Sequence, residues 1–174
     1  MNLDDHSWNQ IAKVASMNAD AIIEYAAKTK YFDLHGYMER DWLLNPFDTV
    51  NGEHVEADRR LPSIRVHRIL RADLARHPHD HPWDARTIIL KGWYKEIRKS
   101  GFIHKDPIEF TRVAGETATL KYGEYHHISE VSPGGVWTMF IMGPYQGGWG
   151  FLVDGVKVPW REYEKRFPHP EEHA

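Results

Sequence analysis

The sequence predicts a mainly β fold, an antiparallel barrel carrying an N-terminal helical arm. Three observations lead there. After Pro62 the chain breaks into short β-type runs separated by glycine-bearing turns. Before it, one long stretch has helical periodicity and no Pro or Gly. The whole chain is 174 residues, enough for one core.

The helical stretch runs from about Asp5 to Lys28. Asp4 or Asp5 can cap it, and Trp8, Ile11, Ala12, Ala15, Ile22, Ile23 and Ala26 form its apolar face. Gly36 to Asn45 reads as a second short helix stopped by Pro46. Residues 46–62 are polar, with Asn51-Gly52 as a turn signal. The β-type runs are Ile64–Leu70, Thr87–Leu90, Trp93–Arg98, Glu109–Val113, Ala118–Tyr122, His126–Val131, Val136–Met142, Trp149–Val153 and Val156–Trp160. Many short strands with close turns favour a sandwich or barrel. The run Glu162–Arg166 reads as a solvated face and PHPEEHA as a polar tail. One structural domain is therefore expected: an arm and connecting loop over 1–62, a barrel over 63–162 and a tail over 163–174.

Composition narrows the chemistry. Lys plus Arg is 22 and Asp plus Glu is 25, a formal charge of −3, which disfavours nucleic acid and anionic membranes as partners. No stretch reaches the roughly 20 apolar residues of a membrane span. The N-terminus is acidic rather than signal-like, so a cytoplasmic protein is expected. There is no cysteine, which removes disulfides, thiolate metal sites and thiol catalysis. No GxGxxG, GxxxxGK[ST], GxSxG or HExxH is present. Against this stands an excess of histidine, 12 in all.

The densest signal is His77-Pro-His79-Asp-His81-Pro-Trp83-Asp84. In extended backbone His77, His79 and His81 share one face, and two imidazoles spaced so can bind one metal with a third ligand from another strand. His126 is the candidate for that third position. His77 reads as a neighbour or surface residue, and His127 as exposed or behind the ligands. His67 shares a strand face with Arg65 and Ile69, where it lines the cavity or packs structurally. His6, His35, His54, His104, His169 and His173 read as incidental. Asp84, Arg86, Arg112, Glu96 and Tyr122 are the other polar groups close enough to matter.

At these residues the chain resembles a cupin, a double-stranded β-helix or jelly-roll barrel. The first cupin motif, G(x)5HxH(x)3,4E(x)6G, is met by His79-x-His81, Ala85 and Gly92 in matching spacing. The second, G(x)5PxG(x)2H(x)3N, is matched in spacing by Gly115, Lys121-x-Gly123, His126 and Glu130, with Lys121 and Glu130 in place of its Pro and Asn. Between Gly92 and Gly115 lie 22 residues. HDHPWDARTIILKGWY and VWTMFIMGPYQGGWGF are also similar to a little-characterised group of bacterial and phage cupin-like proteins. The resemblance implies His79, His81 and His126 as ligands of a divalent transition metal, Fe(II) first, with Mn, Ni or Zn as alternatives. It departs at Ala85, where the motif has Glu; Asp84, one residue earlier, is the substitute. A three-histidine site with open positions implies a metal-dependent enzyme on a small molecule, foremost a non-haem Fe(II) dioxygenase. Asp84, Arg86 and Tyr122 are its candidate catalytic residues. The alternatives are a metal-dependent hydrolase or isomerase on the same site, and a non-enzymatic module binding a small ligand or metal. A homodimer is a further expectation from the resemblance.

Overall fold

The computed structural model describes residues 3–44, 49–50, 53–54, 63–99 and 106–168. In chain order the elements are α1 (Asp5–Met17), α2 (Ala19–Ala26), β1 (Met38–Leu44), β2 (Thr49–Val50), β3 (Glu53–His54), β4 (Ser63–Ile69), β5 (Trp83–Lys91), β6 (Trp93–Lys99), β7 (Ile108–Val113), β8 (Thr117–Leu120), β9 (Tyr125–Val131), β10 (Val136–Tyr145), β11 (Gly150–Val153), β12 (Val156–Pro159) and α3 (Trp160–Arg166). The mainly β architecture with a helical arm is as the sequence predicts.

The arm is two helices rather than one. Asp4 caps α1 by accepting from the Ser7 amide at 2.7 Å. At Asn18 the side-chain amide donates to the Val14 carbonyl at 2.8 Å, and the helix breaks there. Ala12, Ala15, Ala19 and Ala26 are buried along the inner faces of α1 and α2. Their small side chains let the helices settle onto Val66, Ile88, Leu90 and Met139 of the sheet beneath.

That sheet has the order β1-β4-β10-β5-β8, with every pairing antiparallel. The expected helix over Gly36–Asn45 is instead β1. Tyr37, Met38, Glu39 and Arg40 favour helix or strand only weakly, and pairing with β4 from Met38↔Ile69 to Leu44↔Ile64 decides the outcome. Residues 83–86, expected before a strand beginning at Thr87, belong to β5. Of the polar stretch 46–62, β2 and β3 pair antiparallel; the remainder, with the Asn51-Gly52 turn signal, lies outside the described residues.

The second sheet is assembled from two pieces. β7-β6-β9 forms one and β11-β12 the other. His79 joins them by bridging His126 on one side and Phe151 on the other. The His79 amide donates to the His126 carbonyl and the His126 amide to the His79 carbonyl, both at 2.9 Å; the Asp80 amide donates to Gly150 at 3.0 Å and the Leu152 amide to Pro78 at 2.9 Å. Between the two sheets lie two apolar clusters, one around Trp42, Ala85, Leu120, Phe140 and Met142, the other around Ile69, Ile89, Tyr94, Ile128 and Val136.

α3 carries the run Glu162–Arg166, whose charged side chains are exposed as expected, and it puts a helix where part of the tail was expected. It buries Tyr163, whose ring stacks on Phe151 at 3.8 Å. Of the expected tail, residues 169–174 lie outside the described residues. No helix among the described residues is long and apolar enough to cross a membrane.

Candidate metal centre

His79, His81 and His126 converge. Each offers a nitrogen within 4.8 Å of the others. Their ring centroids are 5.2 Å apart for His79–His81, 4.7 Å for His79–His126 and 5.1 Å for His81–His126. The Nε2 atoms of His81 and His126 lie 3.0 Å apart. Backbone alternation aims His79 and His81 together and turns Asp80 the opposite way. There Asp80, fully buried, accepts from the Gly150 amide at 2.7 Å and from Lys157 Nζ at 2.5 Å. The intervening aspartate thus clamps the histidine segment to β11 and β12.

Two buried carboxylates stand behind the imidazoles. Glu96 Oε2 lies 3.4 Å from His126 Nδ1, while Oε1 accepts from Arg112 Nε at 2.8 Å and sits 3.0 Å from an Arg98 Nη. Burial works to raise the Glu96 carboxyl; His126 and Arg98 prevail and hold it at about 2. Asp73 lies 3.8 Å from His79 Nδ1 and 3.8 Å from His127 Nδ1. It accepts from the Ile128 amide at 2.8 Å and from the Tyr37 hydroxyl. Burial opposes its ionisation too, but His79, Tyr37 and the Ile128 amide keep its carboxyl below the usual range.

Glu96 and Asp73 thus lie on the Nδ1 sides of His126 and His79, while Nε2 of His126 faces Nε2 of His81. Burial and the neighbouring imidazole of His126 lower His79 to about 4 and His81 well below its ordinary value. Both are therefore neutral near pH 7, the form that donates a lone pair to a metal. A carboxylate behind a ligating imidazole is the usual outer support of a metal–histidine site. The donor set fits a divalent transition metal with nitrogen ligands. Aromatic rings wall the group: Phe151 and Trp149 beside His79 at 5.9 and 6.2 Å, Phe140 and Trp83 beside His81 at 5.6 and 6.5 Å.

The three expected catalytic residues are placed elsewhere. Asp84 accepts from the Tyr122 amide at 2.8 Å and from Lys121 Nζ at 3.2 Å, pinning the β8–β9 turn, and does not join the histidines. Arg86 points to the outer face, its guanidinium 4.6 Å over the Trp8 ring and bonded to Thr117 Oγ1 at 3.3 Å. β5 alternation explains this: buried Ala85 and Thr87 face the barrel, so Arg86 faces α1. Tyr122 is 40% exposed in the turn, with Lys157 Nζ 5.2 Å over its ring. His77 packs against α3, Nδ1 3.0 Å from the Tyr163 hydroxyl. Glu96, read as a cavity candidate, does reach the interior; Asp73 gave no sequence signal, since only the fold brings its loop beside β9.

No family model and no curated protein matches the chain. Solved structures do. A variant of oxalate decarboxylase from Bacillus subtilis superposes with a TM-score of 0.51 and 9% identity, covering 86% of this chain and 34% of that one. The chain has the cupin fold. It spans about a third of that decarboxylase. A mannose-6-phosphate isomerase-like protein from Ralstonia eutropha JMP134 aligns at TM-score 0.47 and 10% identity, over 65% of this chain and 90% of that one. KdgF from Halomonas sp. aligns at 0.45 and 10%, over 67% and 89%. In this cupin barrel the histidines of both motifs meet on the inside, between the sheets.

Proposed function

We propose that this cupin is a metal-dependent enzyme acting on a small molecule, a non-haem Fe(II) dioxygenase using His79, His81 and His126. The observation that carries the reading is the convergence of three imidazoles within 4.8 Å, with Glu96 and Asp73 behind them. Bound there, the metal would supply open positions for dioxygen and substrate and the electrons for oxygen activation. The chain's own contribution is positional. Glu96 and Asp73, on the Nδ1 sides of His126 and His79, would support the rings from behind. Phe140, Trp83, Trp149 and Phe151 keep water away from the reacting face.

A redox role is favoured over hydrolysis or isomerisation by the carboxylates. Both that lie near the histidines are committed behind them, which leaves neither as a general base toward substrate. Fe(II) is put first; the oxalate decarboxylase that shares the fold is described as holding Mn(II) centres.

Metal analysis of the purified chain, with anomalous scattering at the metal edge, tests this. Stoichiometric Fe bound by wild type and lost in His79→Ala and His81→Ala is the expected result, with nitric oxide giving an iron–nitrosyl signal at an open position. Failure to restore metal to wild type, together with no effect of either substitution, would overturn the enzyme reading in favour of a binding module. Stoichiometric Zn that excludes iron would favour the hydrolase.

A further inference from the structure

The barrel interior holds a second polar group that the histidine centre does not use. β1, β4 and β10 are neighbours, and directly paired residues share a face. Arg40 pairs with His67, which pairs with Thr138; Trp42 pairs with Arg65, which pairs with Phe140. Trp42 and Phe140 belong to the interior cluster, so Arg65 faces inward with them. Two residues along β4, about 7 Å, His67 lies on the same side.

The two guanidiniums are held flat by aromatic rings. Arg65 lies 4.3 Å over Tyr31 and 4.5 Å over Trp42; Arg40 lies 4.8 Å over Tyr31 and 4.1 Å over Phe32. Stacking uses the faces of the guanidiniums; at its edge Arg40 Nε donates to the Phe32 carbonyl at 2.9 Å, and other N–H groups remain. Among the described residues no carboxylate pairs with either. Arg65 Nε, an Arg40 Nη and His67 Nε2 are all buried without a hydrogen-bond partner. Arg40 is 9% exposed and His67 7%. Burial lowers Arg65 to about 10, and burial with the two arginines lowers His67 to about 3. Half-buried Arg65 and buried Arg40 thus keep N–H groups, paired with no carboxylate among the described residues, that an anion would satisfy.

This group adjoins the metal centre through one ring. Phe140 is 5.3 Å from His67 and 5.6 Å from His81. We propose that Arg65, Arg40 and His67 receive a carboxylate of the substrate and so present its remainder to the three-histidine centre. The inference rests on the enzyme reading above for what is presented, but the anion site itself needs no metal. A guanidinium edge takes either a carboxylate or a phosphate, and charge favours the carboxylate here. A single buried charge costs less desolvation than a double one.

The test uses the full metal-free chain in chelator, so that its failure is separate from failure of the metal reading. Acetate, malonate and benzoate are titrated while the arginine Nε–H resonances are followed by NMR, with Arg65 assigned from Arg65→Lys. Malonamide is the neutral control and inorganic phosphate the competing anion. Saturable movement of the Arg65 signal by at least one carboxylate is expected, with none from malonamide. Arg65→Met should weaken that carboxylate at least tenfold by calorimetry, and its melting temperature without ligand should equal or exceed wild type. Unmoved Arg65 signals with all three carboxylates would overturn the proposal. So would unchanged binding in a folded Arg65→Met, or tighter binding of phosphate than of any carboxylate. Should Arg65→Met not fold, the wild-type resonance titration alone decides.

Discussion

Glu96 holds three side chains at once: Arg112, Arg98 and the Nδ1 face of His126. Replacing it by Gln keeps the shape and removes the charge that fixes the imidazole. Metal affinity should fall about 10–100-fold, measured by competition with a chelator. The same change leaves two arginines short of a partner, so melting should show a loss of about 3 kcal/mol. Asp73→Asn should lower affinity in the same direction through His79. Much of this centre was legible in the residues alone. His79, His81 and His126 follow from motif spacing because two imidazoles on one strand face and a third on a turn-bounded strand are local patterns. Asp73 and the pair Arg40–Arg65 were not legible. Their roles depend on which strands become neighbours, and β1 was itself expected to be helix.

The hairpin β11–β12 is the element that steadies the histidine segment. Gly150 donates to Asp80, and a Cβ on Gly150 would run into the Val158 carbonyl across the hairpin. Gly150→Ala should therefore cost about 1–3 kcal/mol by overpacking and weaken metal binding in parallel, read from melting and chelator competition. Asp80→Ala should cost about 1–3 kcal/mol as well, because the buried Gly150 amide loses its acceptor. Elements with strong local signals were legible: each strand after Pro62 is a short run closed by turn residues. α3 carried a signal too, since Trp160, Tyr163 and Phe167 recur at helical spacing, but the charges of Glu162–Arg166 masked it. β1 failed for the opposite reason, its helix-tolerant residues being overruled by pairing with β4.

Acid stability of the whole chain follows from its buried histidines. His67, beside Arg65, Arg40 and His81, is held at about 3, and His79 at about 4, against 6.5 when unfolded. Between 6.5 and those values the unfolded chain binds more protons than the folded one. Stability should then fall as pH drops below 6.5, by about 1.4 kcal/mol per pH unit for each group. Above 6.5 these histidines add no slope. Melting metal-free protein at pH 7, 6 and 5 should show the decline, and His67→Gln should make it shallower. Glu96 acts in the same direction lower down, its stabilisation being lost as pH falls from 4.5 toward about 2.

The seam at His79 has a further consequence. One residue both contributes an imidazole to the centre and stitches β9 to β11 through its main chain. Were residues 78–81 to lift away, two strands would each bare a row of unpaired amides and carbonyls, a ready template for another chain. A metal bound by the three imidazoles would also hold this seam closed.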